Sequence, residues 1–110
     1  MYGGGSQIRD WTHVVDLVDC IYRVLVTPNI EGEVFNICSG TGRKILNIAS
    51  NLIKLCGKEN LKPVHDYTKV EEIKRSVGDP SKAHKILGWK PKINFDKGLR
   101  GAIEFYSIQR

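Results

Sequence analysis

Apolar residues return along this chain at two different periods, and the switches between them mark out its elements. The stretch Ile8 to Thr12 alternates briefly and predicts a short strand, with Thr12 placed to cap a following helix. Val14, Leu17, Val18, Ile21, Tyr22 and Leu25 then recur at three- and four-residue steps, forming one apolar face of a helix that Pro28 and Asn29 stop. Glu33 to Cys38 is a mostly apolar run bounded by Gly32 and Gly40, which predicts a buried strand. After the glycine-rich turn "SGTGRK", Ile45, Ile48, Ala49, Leu52 and Leu55 predict a second amphipathic helix, ended by Gly57 in the left-handed conformation. Pro63 to Tyr67 predicts a third short strand, and Thr68 to Arg75 is polar and carries both charge signs.

The last third is the best punctuated. In "GDPSKAHKILGW", Asp79 can accept from first-turn amides and Pro80 suits the first helical position, where its missing donor is not needed. Ala83, Ile86 and Leu87 are expected to face inward, Gly88 to end the helix, and Trp89 to pack after it. A final helix gathers Phe95, Leu99, Ala102, Ile103 and Tyr106 on one face, although Gly98 and Gly101 each cost it about 1 kcal/mol relative to Ala. Strand and helix alternate as in an α/β protein, yet the pattern yields too few strands to close a parallel sheet covered on both faces. An incomplete sheet, the back end of a larger fold, is the expected architecture.

Composition narrows the class without naming a function. With 110 residues, 41% hydrophobic and 26% charged, the chain reads as one globular unit, and it contains no apolar run that could span a membrane. Cys20, Cys38 and Cys56 form no CxxC pair, and a reduced cytosolic setting fits them best. His13, His65 and His84 are too scattered to predict a metal site. The net charge of +5 allows an anionic partner, from nucleic acid down to a single diphosphate. No recognition helix, RNP-like aromatic pattern or zinc finger accompanies the basic residues, so solvated helix faces are the favoured account of them and nucleic acid is not expected.

Three segments in order, "GSQIRDWTHVVDLVDCI", "GEVFNICSGTG" and "RSVGDPSKAHKILGWKPKINFDKGLRGAIEFY", resemble the C-terminal part of the extended short-chain dehydrogenase/reductases. These are the NAD(P)-dependent nucleotide-sugar epimerases and dehydratases, with UDP-glucose 4-epimerase the nearest type. The resemblance covers essentially the whole chain. It implies the last strand of a Rossmann-type sheet plus a small substrate-binding α/β part. It also implies NAD as cofactor, and a UDP- or GDP-linked sugar as ligand.

The catalytic signatures of that family are not found here. Gly40-Thr41-Gly42 lacks a third glycine and follows the wrong strand, so it reads as a plain turn. Tyr22, Tyr67 and Tyr106 have Val26, Glu71 and Arg110 four residues on, so the family's Tyr-x-x-x-Lys pair is missing. No catalytic residue is therefore expected in residues 1–110, and the NAD-binding domain is expected to be encoded upstream of Met1. Arg9 matches the family's Arg-Asp, which implies a guanidinium on the nucleotide diphosphate. From the residues alone, an internal ion pair with Asp10 or Asp16 is the simpler account of Arg9. A second phosphate clamp is implied where the family carries Arg-Pro-Gly-Asp. Here the window reads Lys69-Val70-Glu71-Glu72, with Lys69 keeping the charge and Arg75 a nearby substitute, and a solvated loop charge accounts for either residue as well.

Two further departures follow from the same resemblance. Gly4 stands where the family often has Asp, and Cys38 replaces a glycine, where a small buried thiol is favoured over a reactive one. The chain is expected to bind a nucleotide-sugar as part of an enzyme and to be inactive alone. The alternatives are a non-enzymatic piece that self-associates or docks on a separate Rossmann subunit, a stand-alone basic module, and a fragment with no function left.

Overall fold

The computed structural model describes residues 1–68 and 73–109. Its sheet has three short strands: β1 (Ile8–Asp10) lies at the centre, antiparallel to β2 (Gly42–Lys44) and parallel to β3 (Arg75–Ser76). The register sets Arg9 opposite Arg43 on one side and Ser76 on the other, and sets Ile8 opposite Lys44 and Arg75. Because side chains alternate along a strand and paired residues share a face, Arg9 and Arg43 project from one face of the sheet. Ile8 and Arg75 project from the other.

Only β1 lies where the sequence pattern puts a strand. Residues 33–38 form no ladder among the described residues, yet their burial still alternates: Phe35 and Ile37 are half-buried and Val34 and Asn36 exposed. Phe35 and Ile37 pack on the hydrophobic core, and Glu33 is held by an ion pair to Lys82. The segment has the side-chain periodicity of a strand and no neighbouring strand to bond. Pro63 to Tyr67 shrinks to a single parallel bridge between Tyr2 and Asp66. The turn "SGTGRK" instead supplies β2, whose Gly42 must lack a side chain, because a Cβ there would come within 2.5 Å of Ile8 Cγ2.

Four helices complete the described residues: α1 (Val14–Val26), α2 (Ile45–Leu55), α3 (Ser81–Leu87) and α4 (Phe95–Ile108). The α1 cap is His13 rather than Thr12, its Nδ1 accepting from the Val15 amide at 3.1 Å. Asp79 caps α3 as expected, accepting from Ser81 N at 2.9 Å, while Pro80 sits one position before the first helical residue. Gly57 and Gly88 both take φ +63°, the left-handed stops the pattern predicts. The Asn94 side chain caps α4 by accepting from Asp96 N and Lys97 N.

The core is small. Cys20, Ala83, Leu87 and Trp89 are its buried members, with Trp89 fully buried as a packing residue after α3. Ile86, expected inside, is exposed. Asp16 joins this interior at 4% exposure: its carboxylate accepts from Lys92 N and Ile93 N, both at 3.0 Å, and its carbonyl from Trp89 Nε1 at 2.9 Å. A buried acid is tolerated when its acceptors are filled, and here it stitches α1 to the segment between α3 and α4. The apolar stripe of Val14, Leu17, Val18, Ile21, Tyr22 and Leu25 forms as the sequence predicts, but it is exposed along its length.

Candidate functional site

The site begins with Asp10, the last residue of β1. Its Oδ1 accepts from Ser39 N at 2.8 Å and Ser39 Oγ at 2.6 Å, and its Oδ2 from Gly40 N at 2.8 Å and Gly78 N at 3.3 Å. Partial burial pushes this carboxyl's pKa up, but the bonds from Ser39, Gly40 and Gly78 outweigh it and hold the pKa below its usual value. Asp10 thus clasps the turn that leads into β2 to the residue before the α3 cap.

That use of Asp10 bears directly on Arg9. The two carboxylates that could neutralise it internally, Asp10 and Asp16, are both engaged by backbone amides. Among the described residues no carboxylate lies within ion-pair distance of Arg9, whose Nη1 donates to the adjacent Ile8 carbonyl at 3.0 Å. Half-buried at the centre of the sheet, it shares its face with Arg43 directly opposite.

The other two charged positions singled out from the sequence fall differently. Arg75 lies on β3 opposite Ile8, so it projects from the face away from Arg9; its Nη1 lies near Gly42, beside Ile8 and Val77. Lys69 lies outside the described residues. Arg43 is the cation that the strand register sets opposite Arg9, and the sequence reading passes over it because "SGTGRK" reads as a turn. The available signal was the basic pair Arg43-Lys44 just ahead of an amphipathic helix.

Arg43 is held by α4. Its guanidinium carbon lies 4.1 Å from the centre of the Phe95 ring, a cation–π stack, and its guanidinium makes no hydrogen bond or ion pair among the described residues. Both groups line a cavity of about 430 Å³ shared with Trp11, His13, Thr41 and Leu99. That volume lies within the range of small-ligand pockets. Trp11, the residue after β1, supplies an aromatic wall of that cavity.

At the glycine turn the space beside the α-carbons is filled by other side chains of the chain. The room beside Gly40 is taken by Pro80, whose Cδ would lie 3.1 Å from an added Cβ, and the room beside Gly42 by Ile8 and Val77. These glycines accommodate the chain's own side chains. Cys38 is similar: it is buried, and its Sγ would lie 2.5 Å from a Cβ added at Gly78, so Gly78 makes the room for the thiol. Burial, followed by the nearby Asp10 charge, raises the Cys38 thiol pKa, which keeps it protonated rather than nucleophilic. Among the described residues no group of His, Cys, Asp or Glu could hold a metal ion, and no helix is long and apolar enough to cross a membrane.

Known proteins resemble this arrangement closely. The family model described as GDP-mannose 4,6 dehydratase matches residues 1–102. The dTDP-glucose 4,6-dehydratase 1 of Escherichia coli is 33% identical over 120 residues, covering 96% of this chain and 31% of that protein. Among solved structures, a UDP-glucuronic acid 4-epimerase from Bacillus cereus, in complex with a fluorinated UDP-sugar and NAD, matches with a TM-score of 0.91 and 31% identity, over 100% of this chain and 35% of its own. The UDP-glucose 4-epimerase of Thermotoga maritima, with UDP-glucose, matches with a TM-score of 0.90 and 28% identity, over 99% and 34%. The chain therefore spans about a third of the length of these relatives. It belongs to the nucleotide-sugar epimerases and dehydratases of the extended short-chain dehydrogenase/reductase family, and corresponds to the C-terminal part of their fold.

Proposed function

We propose that this chain is the nucleotide-sugar-binding part of an NAD-dependent sugar epimerase or dehydratase, and that Arg9 contacts the diphosphate. One observation carries the reading: Arg9 is fixed in the central strand with both neighbouring carboxylates committed elsewhere, so its charge is left for an external anion. A guanidinium meets two phosphate oxygens at once and stays charged at any physiological pH. Fixing the diphosphate would hold the sugar in one place, converting binding energy into orientation. Lys69 is proposed as an accessory cation from its sequence position, and Arg75, across the sheet, as a more remote one. NAD is the cofactor of the whole enzyme, since a matched epimerase and dehydratase are described with NAD bound. Its site and the proton-transfer pair are proposed to lie in the two thirds of the relatives that this chain does not span. The setting is proposed to be cytoplasmic.

A second reading is favoured by the exposed stripe of α1: the chain docks on a Rossmann-type polypeptide that covers Val18, Ile21 and Leu25. The two readings are compatible. The test is a pair of measurements on the 110-residue chain. Amide NMR with added UDP-glucose should shift signals around Arg9, and NAD with UDP-glucose should give no UDP-galactose above a protein-free control. Silence to UDP-glucose sinks the binding reading, and turnover sinks the proposal that the catalytic groups lie elsewhere.

A further inference from the structure

The cavity of about 430 Å³ beside α4 holds a cation that the nucleotide-sugar reading does not use. Arg43 lines it, whereas neither Arg9 nor Arg75 does. We infer that this cavity is a second binding site, separate from the one proposed around Arg9, for a small carboxylate with an aromatic or branched apolar body. The inference goes beyond the nucleotide-sugar reading and does not depend on it.

Three parts of the fold meet in the cavity. The residues between β1 and α1 bring Trp11 and His13, β2 brings Arg43, and α4 brings Phe95, Leu99 and Ala102. Apolar walls with a few convergent polar groups are the general form of a small-ligand pocket. The charged group is also held in place. The Arg43 guanidinium carbon lies 4.1 Å from the centre of the Phe95 ring, so one flat face is covered while the N–H groups at the edge stay unused among the described residues. A planar donor fork fixed by packing meets both oxygens of one carboxylate and loses little freedom in doing so. His13 adds a second donor. Its Nδ1 accepts from Val15 N at 3.1 Å, so the hydrogen of the neutral ring sits on Nε2, where it has no acceptor among the described residues.

The lining also limits the charge of the occupant. Asp16 contributes to it at 4% exposure, with both carboxylate oxygens filled by the Lys92 and Ile93 amides. It therefore needs no cation of its own, yet it still opposes a second negative charge. One guanidinium near one buried carboxylate suits a single anionic group, and a diphosphate would bring more charge than these walls can balance. Size supplies the rest of the description. A carboxylate fills a small part of the cavity, and what remains is bounded by Trp11, Phe95 and Leu99, against which a ring or branched chain removes apolar surface from water.

The chain carries a reporter for this site. Of its two tryptophans, Trp89 is fully buried in the core and Trp11 is 44% exposed on the cavity wall. Titrating the 110-residue chain with benzoate should change its tryptophan fluorescence, and Trp11→Phe should abolish that change. Benzamide keeps the ring without the charge, and acetate keeps the charge without the ring. Each should bind about tenfold more weakly than benzoate, or worse. Arg43→Gln keeps a planar group over Phe95, and should weaken benzoate about tenfold or more while leaving benzamide unchanged. Ala102→Trp, at an exposed position of α4, should fill the cavity and remove both. That variant answers the question if Arg43→Gln fails to fold.

No response of the wild-type chain to benzoate overturns the site. Equal affinity for benzoate and benzamide does the same, because the cavity would then be an apolar hole that ignores charge. A fluorescence change that survives in Trp11→Phe places the ligand elsewhere, and undiminished benzoate binding in Arg43→Gln removes Arg43 from the site. UDP-glucose should leave benzoate affinity unchanged. Competition between them would make the cavity part of the nucleotide-sugar site, overturning a second site while leaving the reading of Arg9 intact. Benzoate binding in a chain silent to UDP-glucose would sink the reading of Arg9 alone.

Discussion

The two faces of α1 meet different surroundings. Asp16, Cys20 and Val24 are turned toward α3, Trp89 and the segment that follows it, whereas Val14, Val18, Ile21 and Leu25 meet solvent, Leu25 at 78% exposure. By composition the assignment is inverted, since the closed face holds an acid and a thiol and the open one four aliphatic side chains. The closed face is stable because each buried polar atom is matched: Asp16 fills both carboxylate oxygens, and Trp89 spends its indole N–H on the Asp16 carbonyl. The open face leaves about 1.5–3 kcal/mol of burial per side chain unrealised. This exposed stripe is the observation behind the proposal of a Rossmann-type partner that covers it.

The comparison breaks most visibly if the closed face is opened. Trp89→Ala removes the largest fully buried side chain and the indole bond to Asp16, and should cost about 3–5 kcal/mol in urea unfolding. A loss that large takes most of the margin of a small domain. If the midpoint barely moves, Trp89 is not the centre of the core.

Next in size is the acid itself. Asp16→Asn keeps the shape but offers one acceptor oxygen where two amides need one each. One of Lys92 N and Ile93 N then faces an amide NH₂ group, and stability should fall by about 1–3 kcal/mol. An unchanged unfolding curve would show that these bonds are not maintained in solution.

These two tests also mark what could be read in the sequence. Local patterns identified the four helices of the described residues, the glycine stops and the packing role of Trp89, because those features are local: a 3.6-residue repeat, a left-handed stop, a bulky apolar residue after a helix. They failed wherever the answer depended on a neighbour. Residues 33–38 alternate as a strand does, but a strand also needs a ladder partner, and periodicity says nothing of one. The segment "GRK" is too short and too polar to register as a strand until β1 pairs with it. The inner face of α1 was hidden because Asp16 and Cys20 carry a weaker apolar signal than the stripe on the other side. At the site, the Arg-Asp motif drew attention to Arg9, while the pairing with Arg43 and the projection of Arg75 from the opposite face are facts of register.

Acid sharpens the picture from the site's side. Because the folded pKa of Asp10 lies below the usual value of 3.8, its contribution to stability is fully present above that value and is lost as pH falls through the folded pKa. The wild-type chain and Asp10→Asn should therefore differ in stability at pH 6, and the difference should shrink steadily below pH 3.8. Asp66 and Asp79 are also held low, the first by Thr68 and the second by Ser81, so the difference between the two proteins, rather than the acid limb itself, isolates Asp10. A difference independent of pH would mean that Asp10 acts through its shape and not its charge.

The smallest expected effect carries the most information about the open face. In an isolated chain Leu25→Lys touches nothing buried, so its effect on stability should fall within about 0.5 kcal/mol either way. Val18→Lys should behave the same, and both should raise solubility by breaking an apolar stripe. The measurement is unfolding at two chain concentrations well separated from each other, with sedimentation at both. A destabilisation beyond that margin that grows with wild-type concentration would show the stripe already covered by a second copy of the chain. The wild-type chain would then be stabilised by mass action and the variants would not. Neutral variants that nonetheless abolish capture by a Rossmann-type polypeptide would place the partner on Val18 and Leu25. The face would then be open because its cover belongs to another part of the enzyme.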